Sequence, residues 1–207
     1  MESNARLERQ NKRRRQILSA TLRLLRRHGT GISTAQIAAE ANCSKETLYN
    51  WFEDRDGIFK ALAGEQAAAM GEALERAFAA AGEGSFEDRL TAYCTALLDI
   101  MTGEAVVAVN RVAMAQTCHH NLELGEIVLN NWQSQVVAPF LKLFLEGTDT
   151  GEISLADPET AFDALTGLLI GDRQRRLLLG ADARPDGEQM HPLAAKAVDR
   201  WLLLVGH

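Results

Sequence analysis

STAQIAAEANCSKETLYNWFEDRDGIF, residues Ser33 to Phe59, decides how the rest of the chain is read. It holds two short helical patterns, a polar turn between them, and the start of a third. Ile37 and Ala38 give the first pattern an apolar face, with Ser33 or Thr34 placed to cap its N-terminus. Asn42-Cys43-Ser44 is the turn. Asn tolerates the left-handed backbone of such a turn better than most residues that carry a Cβ. From Ser44 or Lys45 a second helix begins. Its Leu48 and Phe52 lie at i, i+4 and face inward. Lys45, Glu46 and Asn50, with Thr47 and Tyr49, are left on the outside. Two helices joined by a turn of three or four residues form a helix-turn-helix, whose second helix enters the major groove of DNA.

A helix as short as this one is unstable alone, so flanking helices must hold it. Upstream, Ile17, Leu18, Thr21, Leu22, Leu24 and Leu25 repeat at helical spacing. They predict a helix from about Gln10 to His28, with residues 1–9 frayed and Gly29 and Gly31 ending it. Lys12, Arg13, Arg14 and Arg15 precede its apolar face. Clustered Lys and Arg of this kind lie along phosphates, or form a solvated basic helix end. Downstream, Asp54 is placed to cap a helix from Arg55 to about Ala81. Gly57 is expected to loosen the first turn of that helix.

The chain has 207 residues, a hydrophobic fraction of 46% and four prolines, none before Pro139. Long helices are therefore expected, and an all-α fold. The net charge of −6 hides a split: residues 1–60 carry 12 Lys and Arg against 7 Asp and Glu, whereas residues 61–207 carry 10 against 21. A basic head on an acidic body fits a DNA-binding module with a separate second domain. Cys43, Cys94 and Cys118 are scattered without zinc spacing. The polar N-terminus has no secretory h-region, and no apolar run reaches membrane-spanning length. A reducing, cytoplasmic setting with no membrane partner is the default.

Beyond Gly82-Glu83-Gly84, Ser85 and Asp88 resemble a capping box that opens a helix to about Met101. Further helices are expected at about 104–116, from the TCHHN connection (117–121) to about Leu145 with a kink at Pro139, from Asp157-Pro158 to Leu177, and through Ala194 to Val205. Gly147 to Gly151 reads as a loop. The total is about nine helices.

The residues Thr34, Ile37, Ala38, Ala41, Ser44, Thr47, Leu48, Tyr49, Phe52, Arg55, Ile58 and Phe59 fall in one register. That register resembles the DNA-binding domain of the TetR/AcrR family of bacterial transcriptional regulators. The likeness covers about 50 residues once the first helix is included. Asn42, Cys43, Arg55 and Gly57 depart from the commoner residues Gly, Val, Lys and a helix former. The resemblance implies a three-helix helix-turn-helix domain at residues 1–55 and a helical effector-binding and dimerisation domain at 56–207.

It further implies DNA contacts from Thr34, Thr47, Tyr49 and Arg55. Arg14, Ser33, Ser44, Lys45, Glu46 and Asn50 join them on position and chemistry, since Asn reads adenine and Lys reaches guanine or phosphate. Phe86, Tyr93, Leu97, Met101, Met114, Trp132 and Val136 are the candidate lining of a pocket for a small hydrophobic or amphipathic effector. The alternative for each is plain core. The last two helices would pair with a twin through Phe162, Leu165, Leu169, Val198, Trp201 and Val205, or else complete a monomer core. The implied protein is a repressor that binds a palindromic double-stranded operator as a homodimer, without a cofactor.

Two rivals remain open. Cys118, His119, His120 and Glu123 are the only dense reactive cluster, with His119 and Glu123 at i, i+4, but no metalloenzyme, hydrolase or P-loop motif accompanies them. Cys94 or Cys118 could act as a thiol switch if exposed and of low pKa. A constitutive or activating DNA binder is a further possibility.

Overall fold

The computed structural model describes residues 2–82, 84–154 and 157–205, and every regular element among them is helical. The α-helices are α1 (Glu2–His28), α2 (Thr34–Glu40), α3 (Lys45–Phe52), α4 (Arg55–Ala81), α5 (Phe86–Thr102), α6 (Glu104–Thr117), α7 (Glu123–Trp132), α8 (Ala138–Asp149), α9 (Pro158–Ile170), α10 (Arg173–Leu178) and α11 (Gly187–Val205). A 3-10 turn covers Gly29–Gly31 and a π turn covers Gln133–Val137.

Several expectations shift. The first helix starts at Glu2 rather than Gln10, because no Gly or Pro interrupts 2–28 and propagation from a packed helix is easy. α4 ends at Gly82 as expected; Glu83 of that predicted break lies outside the described residues. The expected helix through Pro139 is instead α7, the π turn and α8. Proline lacks an N–H and its ring crowds the carbonyl four residues back. The wider π turn just before it absorbs both defects. Gly147 is not in a loop but inside α8, where the Phe86 ring leaves no room for a Cβ, the nearest ring atoms being at 2.8 Å. The helix from Pro158 stops at Ile170. Gly171 has φ +54, a conformation that ends helices, and the Arg173 guanidinium donates to the Leu169 and Ile170 carbonyls left open there.

The chain forms two compact units. One is Met1–Gln66 with Ala108–Val128, and the other is Ala67–Val107 with Leu129–His207. The boundary expected at residue 55 falls inside the first unit. The reason is core size: Ile17, Leu18, Ile37 and Leu48 of the helix-turn-helix are completed by Ile58, Phe59 and Leu62 of α4, Val109 and Val112 of α6, and Leu124 of α7. Polar ties reinforce this. The Asp56 carboxylate accepts from Gln116 Nε2 at 2.8 Å and Asn121 Nδ2 at 3.1 Å, and Lys60 pairs with Glu123 at 2.6 Å. In the second unit, α5 and α11 pack side by side, with α9 against α11. Its centre is aromatic. Phe140 lies 4.2 Å from Phe144, 4.8 Å from Phe162 and 5.3 Å from Tyr93 between ring centroids, and Phe144 stacks on Trp201 at 5.0 Å. No single helix among the described residues is long and apolar enough to cross a membrane.

Candidate nucleic-acid interface and ligand groove

The helix-turn-helix is built from two caps and one left-handed residue. The Ser33 hydroxyl accepts from Gln36 N while the Gln36 side chain accepts from Ser33 N at 2.8 Å, a complete capping box at the head of α2. Asn42 takes φ 50 in the turn, as its residue type predicts. The Ser44 hydroxyl accepts from Thr47 N at 3.1 Å and lies 2.9 Å from the Thr47 hydroxyl. Ser33, Ser44 and Thr47 thus shape the two helix entries. Thr34 is half-buried in the first turn of α2.

Leu48 and Phe52 bury the inner edge of α3, leaving Lys45, Glu46, Tyr49 and Asn50 exposed. Tyr49 is 47% exposed, so its ring is not part of the core. Glu46 stands in the first turn of α3, where a carboxylate complements the positive end of the helix. Trp51 packs against the core of the unit. The outer face of α3 therefore offers an ammonium, a carboxamide, a phenol and a carboxylate, a set suited to base edges and phosphates.

The basic lead of α1 divides its work. Arg13 donates to the Asn42 carbonyl at 2.6 Å and to Gln16 at 3.0 Å, so it holds the turn rather than standing free. Arg14 lies over the Phe52 ring at 5.6 Å, cation against π face, with the residue still exposed. Lys12 and Arg15 are exposed beside them. An open cleft of about 780 Å³ runs between this part of α1 and the turn. Arg55 donates to the Ile32 carbonyl at 3.4 Å and sits over Phe59, which ties the start of α4 to the segment before α2.

The residues expected to line a pocket separate into two groups. Phe86, Leu97, Met101 and Val136 are buried in the aromatic core and Trp132 packs on its edge against Phe162 at 6.1 Å. Met114 belongs to the other unit and is 55% exposed, because Val112 and Ala113 take the inward face of α6. Tyr93 lines an open groove. That groove, about 540 Å³, lies between α4, Tyr93, the π turn and α8. Its other walls, Leu74 and Phe78 of α4, Gln135 of the π turn and Leu143 of α8, were missed by sequence reasoning. The signal available was Pro139, which marks where the helix must deform. Tyr93 OH donates to the Val136 carbonyl at 2.9 Å and so satisfies a group of the π turn. Burial pushes the Tyr93 phenol well above its ordinary range, which keeps it a donor.

The residues expected at a dimer interface are core residues of one chain. Phe162, Leu165, Leu169, Val198 and Trp201 are at most 3% exposed, and Trp201 Nε1 donates to the Ala161 carbonyl at 2.7 Å. Val205 packs partly buried on the same core. Periodicity names the apolar stripe of a helix but not whether its partner is the same chain or another.

Of the rival chemistries, the metal cluster and the Cys94 switch fare poorly, whereas Cys118 is exposed as a thiol switch there would require. The Glu123 carboxylate is taken by Lys60, and no group of three or more His, Cys, Asp or Glu among the described residues is arranged to hold a metal. Cys94 is buried and desolvation pushes its thiol far up, the opposite of what a redox switch needs. Burial raises the Cys43 thiol as well, with Arg13 opposing.

Comparison with known proteins agrees with this geometry. The family model of bacterial regulatory proteins of the tetR family matches residues 17–62, and that of the C-terminal domain of AefR-like transcriptional repressors matches residues 88–204. No curated protein sequence matches the chain. A TetR transcriptional regulator from Agrobacterium tumefaciens is 30% identical, with 95% of each chain covered and a TM-score of 0.77. A TetR-family regulator from Mesorhizobium loti shares the fold at 22% identity and a TM-score of 0.82, covering 95% of this chain and 98% of its own. FadR from Bacillus subtilis, solved with stearoyl-CoA, shares it at 18% identity and 0.70, covering 93% and 98%. With one family model spanning most of the second unit, the other spanning the helix-turn-helix, and a solved relative matched along nearly its whole length, the chain belongs to the TetR family of bacterial transcriptional regulators.

Proposed function

We propose that the chain represses transcription by occupying a two-fold-symmetric operator as a homodimer, and that a small hydrophobic or amphipathic effector releases it. The observation that carries this reading is α3, whose inner edge is locked into the head by Leu48 and Phe52 while Lys45, Glu46, Tyr49 and Asn50 stay exposed. Lys45 and Asn50 are the base readers. Tyr49 and Thr47 add phosphate or base contacts, and Arg14, with Lys12 and Arg15 beside it, follows the phosphates. Ser33, Thr34 and Ser44 present helix N-termini, which suit phosphate oxygens. Arg55 positions the start of α4.

A helix of eight residues reads few base pairs, so a second copy is needed for a site of useful length. The outer faces of α9 and α11 are the surface for that copy. Arg200, Leu203 and Leu204 of α11 are exposed, the two leucines at 75% and 68%. The effector acts only through its preference for one of two arrangements of the dimer. The stearoyl-CoA bound by the Bacillus FadR makes an acyl thioester one amphipathic compound to include among effectors tested, on fold likeness alone.

The test is a selection of genomic DNA fragments by the purified chain. The enriched fragments should share an inverted repeat. Lys45→Ala and Asn50→Ala should each cost about 1–3 kcal/mol of operator binding. A selection without a common inverted repeat, or a double variant with unchanged affinity, would overturn the reading.

A further inference from the structure

Resting on that effector-released reading, we propose that the groove between α4, Tyr93, the π turn and α8 takes a ligand with an apolar body and a cationic head. Its volume of about 540 Å³ lies within the range of small-molecule sites, roughly 300–1,000 Å³. The floor is apolar: Leu74, Tyr93 and Leu143 are 2%, 3% and 3% exposed, and Phe78 is half-buried beside them. Such a floor takes a hydrocarbon body and offers few partners to a buried charge.

The rim decides the sign of the head. Its ionisable residues are Glu75, Lys142 and Glu146, two carboxylates against one ammonium. Lys142 reaches Glu146 only at 4.0 Å, with the two side chains 78% and 44% exposed. A pair of that kind contributes little. Glu75 has no ion-pair partner among the described residues. The mouth therefore keeps an uncompensated negative charge, which repels an anionic head and attracts a cationic one. A further cation beside the groove, the Arg89 guanidinium 5.9 Å from the Phe78 ring, is paired with the Glu152 carboxylate at 2.9 Å and so leaves the negative balance of the rim in place.

The experiment uses two compounds with one apolar body, octyltrimethylammonium and octanoate, titrated calorimetrically into the full chain. Octyltrimethylammonium should bind saturably and at least about tenfold more tightly than octanoate. Glu75→Gln combined with Glu146→Gln should remove that preference. Ala138→Trp, a substitution at an exposed groove residue, should weaken both compounds. Octyltrimethylammonium should also lower affinity for the selected operator. The proposal is overturned by equal or tighter octanoate binding, by the absence of saturable binding, by an unchanged preference in the double variant, or by binding that leaves operator affinity unaltered. The two readings fail separately. Specific DNA binding with no compound bound removes the groove proposal alone, whereas failure to select any DNA removes the regulator reading whatever the groove binds.

Discussion

A Cβ at Gly57 would sit 1.9 Å from the Phe52 carbonyl oxygen and 3.0 Å from its carbon, and both are backbone atoms that no rotamer change can move. The cause is local. Glu53 adopts φ 66, ψ −55, with Asp54 N donating to the Phe52 carbonyl at 2.7 Å, a tight three-residue turn that few residues tolerate. Asp54 then caps α4 by accepting from Gly57 N at 2.7 Å. Gly57 is therefore a requirement of the α3–α4 junction and not the loosened first turn expected from its residue type. Gly57→Ala should lose roughly 1–3 kcal/mol by overpacking, read as a fall in melting temperature, and should weaken operator binding because Phe52 ends α3. Gly64 in the same helix provides the contrast: nothing lies within 4 Å of its Cβ position. Gly64→Ala should stabilise by about 0.5–1 kcal/mol through helix propensity. Two substitutions of the same stabilising sign would show that the Phe52 carbonyl yields to a Cβ at Gly57.

Among elements, α1 and α2 are clamped by Glu40, whose carboxylate accepts from Arg23 at 3.0 Å and pairs with Arg27. These hydrogen bonds, Arg23 first, hold its pKa below the ordinary 4.5. A folded-state value below the unfolded one stabilises the fold while the group is ionised. That contribution is complete above 4.5 and is lost as pH falls through the depressed value. Thermal unfolding of Glu40→Gln should therefore show a lower midpoint than the native chain at neutral pH, with the gap closing on acidification. In the other unit, Tyr93→Phe removes the donor to the Val136 carbonyl and should cost about 1–3 kcal/mol, the desolvation cost of a buried group left unpaired. These elements were not equally legible. α4, α6 and the capping box of α5 lay where caps, glycines and periodicity put them, because those signals act within a few residues. The outer face of α3 was legible for the same reason. The groove was not: its walls come from α4, α5, the π turn and α8, and only tertiary packing brings them together.

At the scale of the whole molecule, mutation can separate the buried face of α11 from the exposed leucines beside it. Trp201 is fully buried, stacks on Phe144 and donates to the Ala161 carbonyl. Trp201→Ala should thus destabilise the fold by about 3–5 kcal/mol, as large core truncations do, with loss of helix content on mild heating at any protein concentration. Leu203 and Leu204 lie outside that core at 75% and 68% exposure. Replacing both by Glu adds charge to an exposed face and removes no core contact. The doubly substituted chain should keep its native helix content at room temperature yet sediment as a monomer at micromolar concentration, where the native chain should sediment as a dimer. Its operator affinity should fall far more than its affinity for a single half-site, since only the paired form spans both halves. A Trp201→Ala chain that stays folded and merely dissociates would mean that the stripe faces a twin after all, and that the buried core described for one chain is really shared between two.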